Sequence, residues 1–109
     1  MNQRVLKVES VLRQITASEL AKLSSYSAHI TVTDVDVSPD MRNGIIWIGI
    51  MAGSADERDN IQKHIEGLRG EIQSAVAAGL KSKRTPRITF KLDTGGEHAD
   101  KIDRLIKGL

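Results

Sequence analysis

The chain has 109 residues, no cysteine and a net charge of +2. That length fits one domain with a single core, and the missing cysteines exclude a disulfide framework or a thiolate metal site. The opening Met1-Asn2-Gln3-Arg4-Val5-Leu6-Lys7 is charged too early for a signal peptide, and the longest apolar run, 45–52, is far short of the ~20 residues that span a bilayer, so a cytoplasmic protein without a membrane partner is expected.

Val5, Val8, Leu12, Ile15 and the pair Ala17/Leu20 recur at spacings of three and four, which predicts an amphipathic helix over about 4–23. Ser24-Ser25-Tyr26-Ser27 ends it. Ile30-Thr31-Val32-Thr33-Asp34-Val35-Asp36-Val37 alternates as a strand does. Its apolar parity switches between Val32 and Val35, which predicts a bulge near Thr33-Asp34. Ser38-Pro39-Asp40 and Asn43-Gly44 are turn residues that bracket a hairpin loop. Residues 45–51 are apolar on both parities and predict a buried second strand.

Ser54-Ala55-Asp56-Glu57 spells a capping box, which opens a helix. Ile61, Ile65, Leu68, Ile72, Ala75/Val76 and Leu80 keep a helical period straight across Gly67 and Gly70. Each glycine costs a helix about 1 kcal/mol relative to alanine, so two tandem helices, kinked at the glycines and sharing one buried face, are predicted. Pro86 pushes Thr85 toward extended backbone and stops the second helix. Ile88, Phe90 and Leu92 then point one way along a strand. Beyond Asp93-Thr94-Gly95-Gly96 a last helix carries Ala99, Ile102, Leu105/Ile106 and Leu109. The predicted class is α+β, in the order α-β-β-α-kink-α-β plus a C-terminal helix, with the helices packed on a three-stranded sheet.

Charge is spread unevenly. Between 69 and 91 six basic residues (Arg69, Lys81, Lys83, Arg84, Arg87, Lys91) accompany one acid, Glu71, which leaves the rest of the chain net negative. A basic segment on a near-balanced chain suggests a face for a polyanion; the plain alternative is a solvated surface. Within this region Gly67-Leu68-Arg69-Gly70 forms a GxxG turn between helices. Such a turn lets the backbone approach a nucleic-acid strand without Cβ interference and aims the next helix's first N–H groups at a phosphate. The alternative is that the glycines serve only the kink and close packing. Four cations in 81–87 leave a helix end and enter a strand, where they suit phosphates but also the helix dipole.

Other motifs carry less. Asp93-Thr94-Gly95 spells the aspartic-protease triplet, but paired catalytic carboxylates need a buried apolar setting, and Gly96-Glu97-His98 is a charged exit. His29, His64 and His98 share no metal-ligand spacing, so no metal or cofactor is expected. Trp47, Tyr26 and Phe90 are the only aromatics, too few for a base-stacking platform.

The run from Ile30-Thr31-Val32-Thr33-Asp34-Val35-Asp36-Val37 to Ser38-Pro39-Asp40-Met41-Arg42 resembles the strand and turn of the ribosome-binding factor A family. Pro86-Arg87-Ile88-Thr89-Phe90, then Asp93 and Lys101-Ile102-Asp103-Arg104-Leu105-Ile106, is similar to that family's C-terminal signature, and Gly70-Glu71-Ile72 falls at its kink glycine. The likeness runs over about 4–106. Leu68 stands where the family usually has alanine, the 24–29 connection lacks its Asp-Pro-Arg stretch, and the basic tail of some members is absent. The resemblance implies a type II KH-like fold in a single domain over 1–109, without catalytic residues or a small-molecule substrate. It also implies a monomer that binds the free small (30S) ribosomal subunit and assists late 16S rRNA processing, above all in the cold. The candidate RNA contacts are Gly67, Leu68, Arg69, Gly70, Lys81, Lys83, Arg84, Arg87 and Arg42. A general KH protein that takes single-stranded RNA at the 67–70 turn is the alternative; an enzyme rests on Asp93-Thr94-Gly95 alone.

Overall fold

A computed structural model describes residues 3–23, 29–80 and 85–93. Within them the order is α1 (Gln3–Leu20), β1 (Ile30–Val37), β2 (Asn43–Ile50), α2 (Ala55–Gly67), α3 (Arg69–Leu80) and β3 (Arg87–Leu92). Lys81, Lys83, Arg84, Tyr26, His98 and the expected C-terminal helix lie outside the described residues.

The strands form one sheet in the order β1-β2-β3, with β1 antiparallel and β3 parallel to β2. Parallel neighbours need a crossover, and α2 and α3 provide it. The inward side chains Val35, Val37, Ile46, Ile48 and Ile88 meet Leu12 and Leu20 of α1, Ile61 and Ile65 of α2, and Ile72 and Val76 of α3 in one core. The shared buried face expected of the tandem helices is therefore present. Trp47 is buried outside this core; it pairs with Asp34 and Lys91 on the other sheet face, and the Lys91 ammonium lies 5.8 Å from its ring centroid.

The β1 bulge falls where the parity switch puts it. Register shifts between Val32 and Asp34, and the extra residue, Thr33, donates its hydroxyl to the Trp47 carbonyl at 3.3 Å. Ile30 and Val32 before the bulge, and Val35 and Val37 after it, thus all pack inward. The capping box also forms, with one difference. Ser54 Oγ accepts from Glu57 N–H at 3.1 Å, but the Glu57 carboxylate accepts from Gly53 N–H at 3.1 Å, one residue ahead of the cap.

Two expectations need correction. Thr16, not Ala17, fills the core position between Leu12 and Leu20, because side chains four apart stack in one row on a helix. Ala17 is exposed, and the Thr16 hydroxyl has no hydrogen-bond partner among the described residues. Asn43-Gly44 starts β2 instead of belonging to the turn. Gly44 is buried there, and an added Cβ would stand 3.0 Å from Leu12 Cδ2 and 3.5 Å from Pro86 Cβ. The loop itself is 38–42. Ser38 Oγ donates to Asp40 Oδ1 at 2.6 Å, Arg42 N–H donates to the same oxygen at 3.1 Å, and Met41 takes a left-handed φ of 59°.

Candidate nucleic-acid interface

The break between α2 and α3 is a single residue. α2 ends at Gly67, and Leu68 stays near helical at φ −91°, ψ −5°, with its N–H on the Ile65 carbonyl at 3.0 Å. Ile72 N–H then reaches the Leu68 carbonyl at 2.9 Å to close the first turn of α3. Leu68 is half-buried against the core, which keeps the apolar stripe continuous through the kink. Gly67 and Gly70 flank it, both exposed. Neither takes a left-handed φ, and a Cβ on either would meet nothing within 4 Å among the described residues. Neither backbone strain nor packing among the described residues requires a glycine at these positions.

At Gly70 lies a groove of about 340 Å³ lined by Glu66, Arg69, Gly70, Gln73, Arg87 and Ile88. The structure thus brings Arg69 and Gly70 from one helix start together with Arg87 from the start of β3. Arg69 Nε is 3.7 Å from Glu66 Oε2, with both side chains about half exposed; such a surface pair is weak and leaves the cation available to another anion. Arg42 joins through the backbone, since its carbonyl accepts from Arg87 N–H at 2.8 Å. Its side chain is largely exposed, 3.9 Å from Asp40 Oδ2. Asp40 is held below the usual aspartate range by the Ser38 hydroxyl first, then by the Arg42 N–H and the Arg42 charge.

Gln73, which the sequence did not single out, connects the groove's two walls. Its Nε2 donates to the Pro86 carbonyl at 2.8 Å, and its Oε1 accepts from Ile88 N–H at 3.0 Å. Its only local signal is an amide directly after the core residue Ile72. Further along β3 a smaller cavity of about 40 Å³ has a mainly apolar wall of Ile48, Ile50, Ile65, Phe90 and Leu92, with Gln62, Glu66 and Lys91 also lining it. Among the described residues no group of three or more His, Cys, Asp or Glu could hold a metal, and no helix is long and apolar enough to cross a membrane.

The family profile described as Ribosome-binding factor A matches residues 4–106. The chain belongs to the ribosome-binding factor A family. It is 33% identical to the ribosome-binding factor A of Rubrobacter xylanophilus over 95% of this chain and 85% of that one. With the Akkermansia muciniphila protein of the same name it shares 28% identity, over 100% of this chain and 86% of that one. The crystal structure of ribosome-binding factor A from Thermus thermophilus superimposes with a TM-score of 0.66 at 19% identity, covering 81% of this chain and 94% of that chain. A Thermus thermophilus ribosome-binding factor A model, fitted into a cryo-EM map of a 30S complex with that factor, gives a TM-score of 0.60 at 17% identity over 82% and 94% of the two chains. The fold is therefore the α+β, KH-like fold of ribosome-binding factor A, as the sequence resemblance implied.

Proposed function

We propose that this ribosome-binding factor binds the free 30S subunit through 16S rRNA and assists its late maturation, as a monomeric, cytoplasmic, non-enzymatic single domain with its largest effect in the cold. The groove at Gly70 would receive a strand of the rRNA backbone, with Arg69 and Arg87 at its walls and Arg42 next to Arg87; Gly67, Lys81, Lys83 and Arg84 are proposed as further contacts. Leu68 holds the turn to the core. One observation carries the reading: Gly70, an exposed glycine that nothing among the described residues requires, lines a groove whose charged side chains are Arg69, Arg87 and Glu66, and the equally exposed Gly67 stands at the same kink. Omitting Cβ there lets a phosphate backbone approach closely. The 30S complex of the Thermus thermophilus factor supports the choice of partner.

Sedimentation of cell extract tests it. The protein should travel with free small subunits and avoid whole ribosomes. Binding should weaken steeply with salt, and a Lys83→Glu/Arg84→Glu variant should reduce the log–log salt slope by ~0.7–0.9 for each phosphate it no longer neutralises. An unchanged slope removes that tract from the interface. The GxxG spacing favours one second reading, a KH protein for other single-stranded RNA; it predicts sedimentation away from the subunits with retained oligonucleotide binding.

A further inference from the structure

We infer that Gln73 stands in for a nucleobase inside the groove, occupying the strand edge that would otherwise read bases and making binding there indifferent to base identity. The inference rests on the groove being an RNA site and concerns what that site can recognise.

β3 pairs with β2 through alternate residues: Arg87 N–H goes to the Arg42 carbonyl and Asp93 N–H to the Ile48 carbonyl, each at 2.8 Å. The polar groups of Ile88 and the carbonyl of Pro86 therefore turn to the opposite edge, toward α3. Pro86 C=O and Ile88 N–H form an acceptor and a donor side by side. That is the complement of a neighbouring donor and acceptor on the Watson–Crick edge of an unstacked base, the edge by which single-stranded RNA is read in sequence. The Gln73 carboxamide presents the same donor–acceptor pair and satisfies both backbone groups, at 2.8 and 3.0 Å.

What the groove still offers a ligand is charge. Arg69 and Arg87 line it with one acid, Glu66, paired weakly to Arg69, and contacts to phosphate fix position without carrying sequence information. A purely structural Gln73, sealing a strand edge, would make the same hydrogen bonds but would leave recognition unchanged when removed. That difference can be measured.

Wild-type, Gln73→Ala and Gln73→Ser proteins are titrated at low salt with labelled eight-nucleotide RNAs of A, C or U and with an abasic octamer of the same charge. The wild type should bind all four within about threefold, because its contacts are to the backbone. Gln73→Ala frees Pro86 C=O and Ile88 N–H and should bind at least one base-containing RNA about fivefold or more tighter than the abasic strand. Its thermal midpoint should fall by about 5 °C for the missing hydrogen bonds; if it fails to fold, Gln73→Ser, which keeps a small polar side chain, decides the matter. A wild type that already prefers bases over the abasic strand by fivefold overturns the inference, as does a folded variant with the wild-type pattern. Binding by every protein with no gain in the variants sinks this inference alone. Absence of binding by all of them sinks the groove reading with it.

Discussion

The two ends of α3 carry glycines for opposite reasons. At its C-terminal end an added Cβ on Gly79 would stand 2.7 Å from Ile15 Cδ1 and 3.7 Å from Val11 Cγ1, so the residue lets α1 and α3 close on each other. At its N-terminal end Gly70, and Gly67 just before the kink, have ordinary backbone angles and no described residue within 4 Å of an added Cβ. A helix loses about 1 kcal/mol at each glycine relative to alanine. Gly79 returns that loss in packing. The other two return nothing within the described residues, and on the proposed function their return comes from a phosphate backbone that approaches from outside. The same residue type is thus a packing device at one end of a helix and a surface device at the other, and only the surroundings tell them apart.

The largest test lies between the two ends. Ile72 is fully buried at the middle of the stripe, and Ile72→Ala should cost ~2–5 kcal/mol in denaturant melts. A loss below about half a kcal/mol would mean that α3 is not anchored to the sheet and that its ends cannot be compared as parts of one rigid element. Next comes Gly79→Val, which forces branched atoms into the α1 contact and should cost ~1–3 kcal/mol without altering RNA affinity measured on the folded fraction. Gly79→Ala is gentler, since Ile15 Cδ1 is the tip of a flexible chain and the helix gains propensity.

At the other end Gly67→Ala and Gly70→Ala should each leave stability unchanged or raise it by up to ~1 kcal/mol, while weakening binding to small subunits. Destabilisation by either would erase the contrast. Arg69→Asp complements them: it should leave the thermal midpoint nearly unchanged and weaken the same binding. The smallest effect concerns the 38–42 loop, where Asp40 has its acidity strengthened by the Ser38 hydroxyl, the Arg42 N–H and the Arg42 charge. A carboxyl whose folded-state pKa is lowered stabilises above its ordinary range and loses that contribution as pH falls through the lowered value. The Arg42 amide chemical shift should therefore stay constant from neutral pH down to the ordinary aspartate range and move only below it; movement at higher pH would mean the Asp40 contacts do not form.

Much of this architecture is legible in the chain alone because the signals are local. The parity switch around Thr33 marks the bulge, Ser54 and Glu57 mark the start of α2, and the two glycines in an unbroken stripe mark the helix break, since each feature depends on residues within a turn or a pair of strand positions. The candidate contacts Arg69, Gly70 and Arg87 could be named on charge and on the GxxG pattern. What chain order could not supply is which residues meet. That the row Leu12, Thr16 and Leu20, polar at its centre, is the one buried follows from how α1 rests on β1 and α3. Gly44 proves to be a strand residue because Leu12 and Pro86, far apart in sequence, both crowd it. Arg42 comes to rest against Arg87 through the parallel pairing of β2 with β3. Gln73 finds Pro86 and Ile88 only because the crossover helices set α3 beside that edge. Periodicity and capping are written in neighbouring residues, whereas a groove is made by the distances between elements, and these are decided by how the helices settle on the sheet.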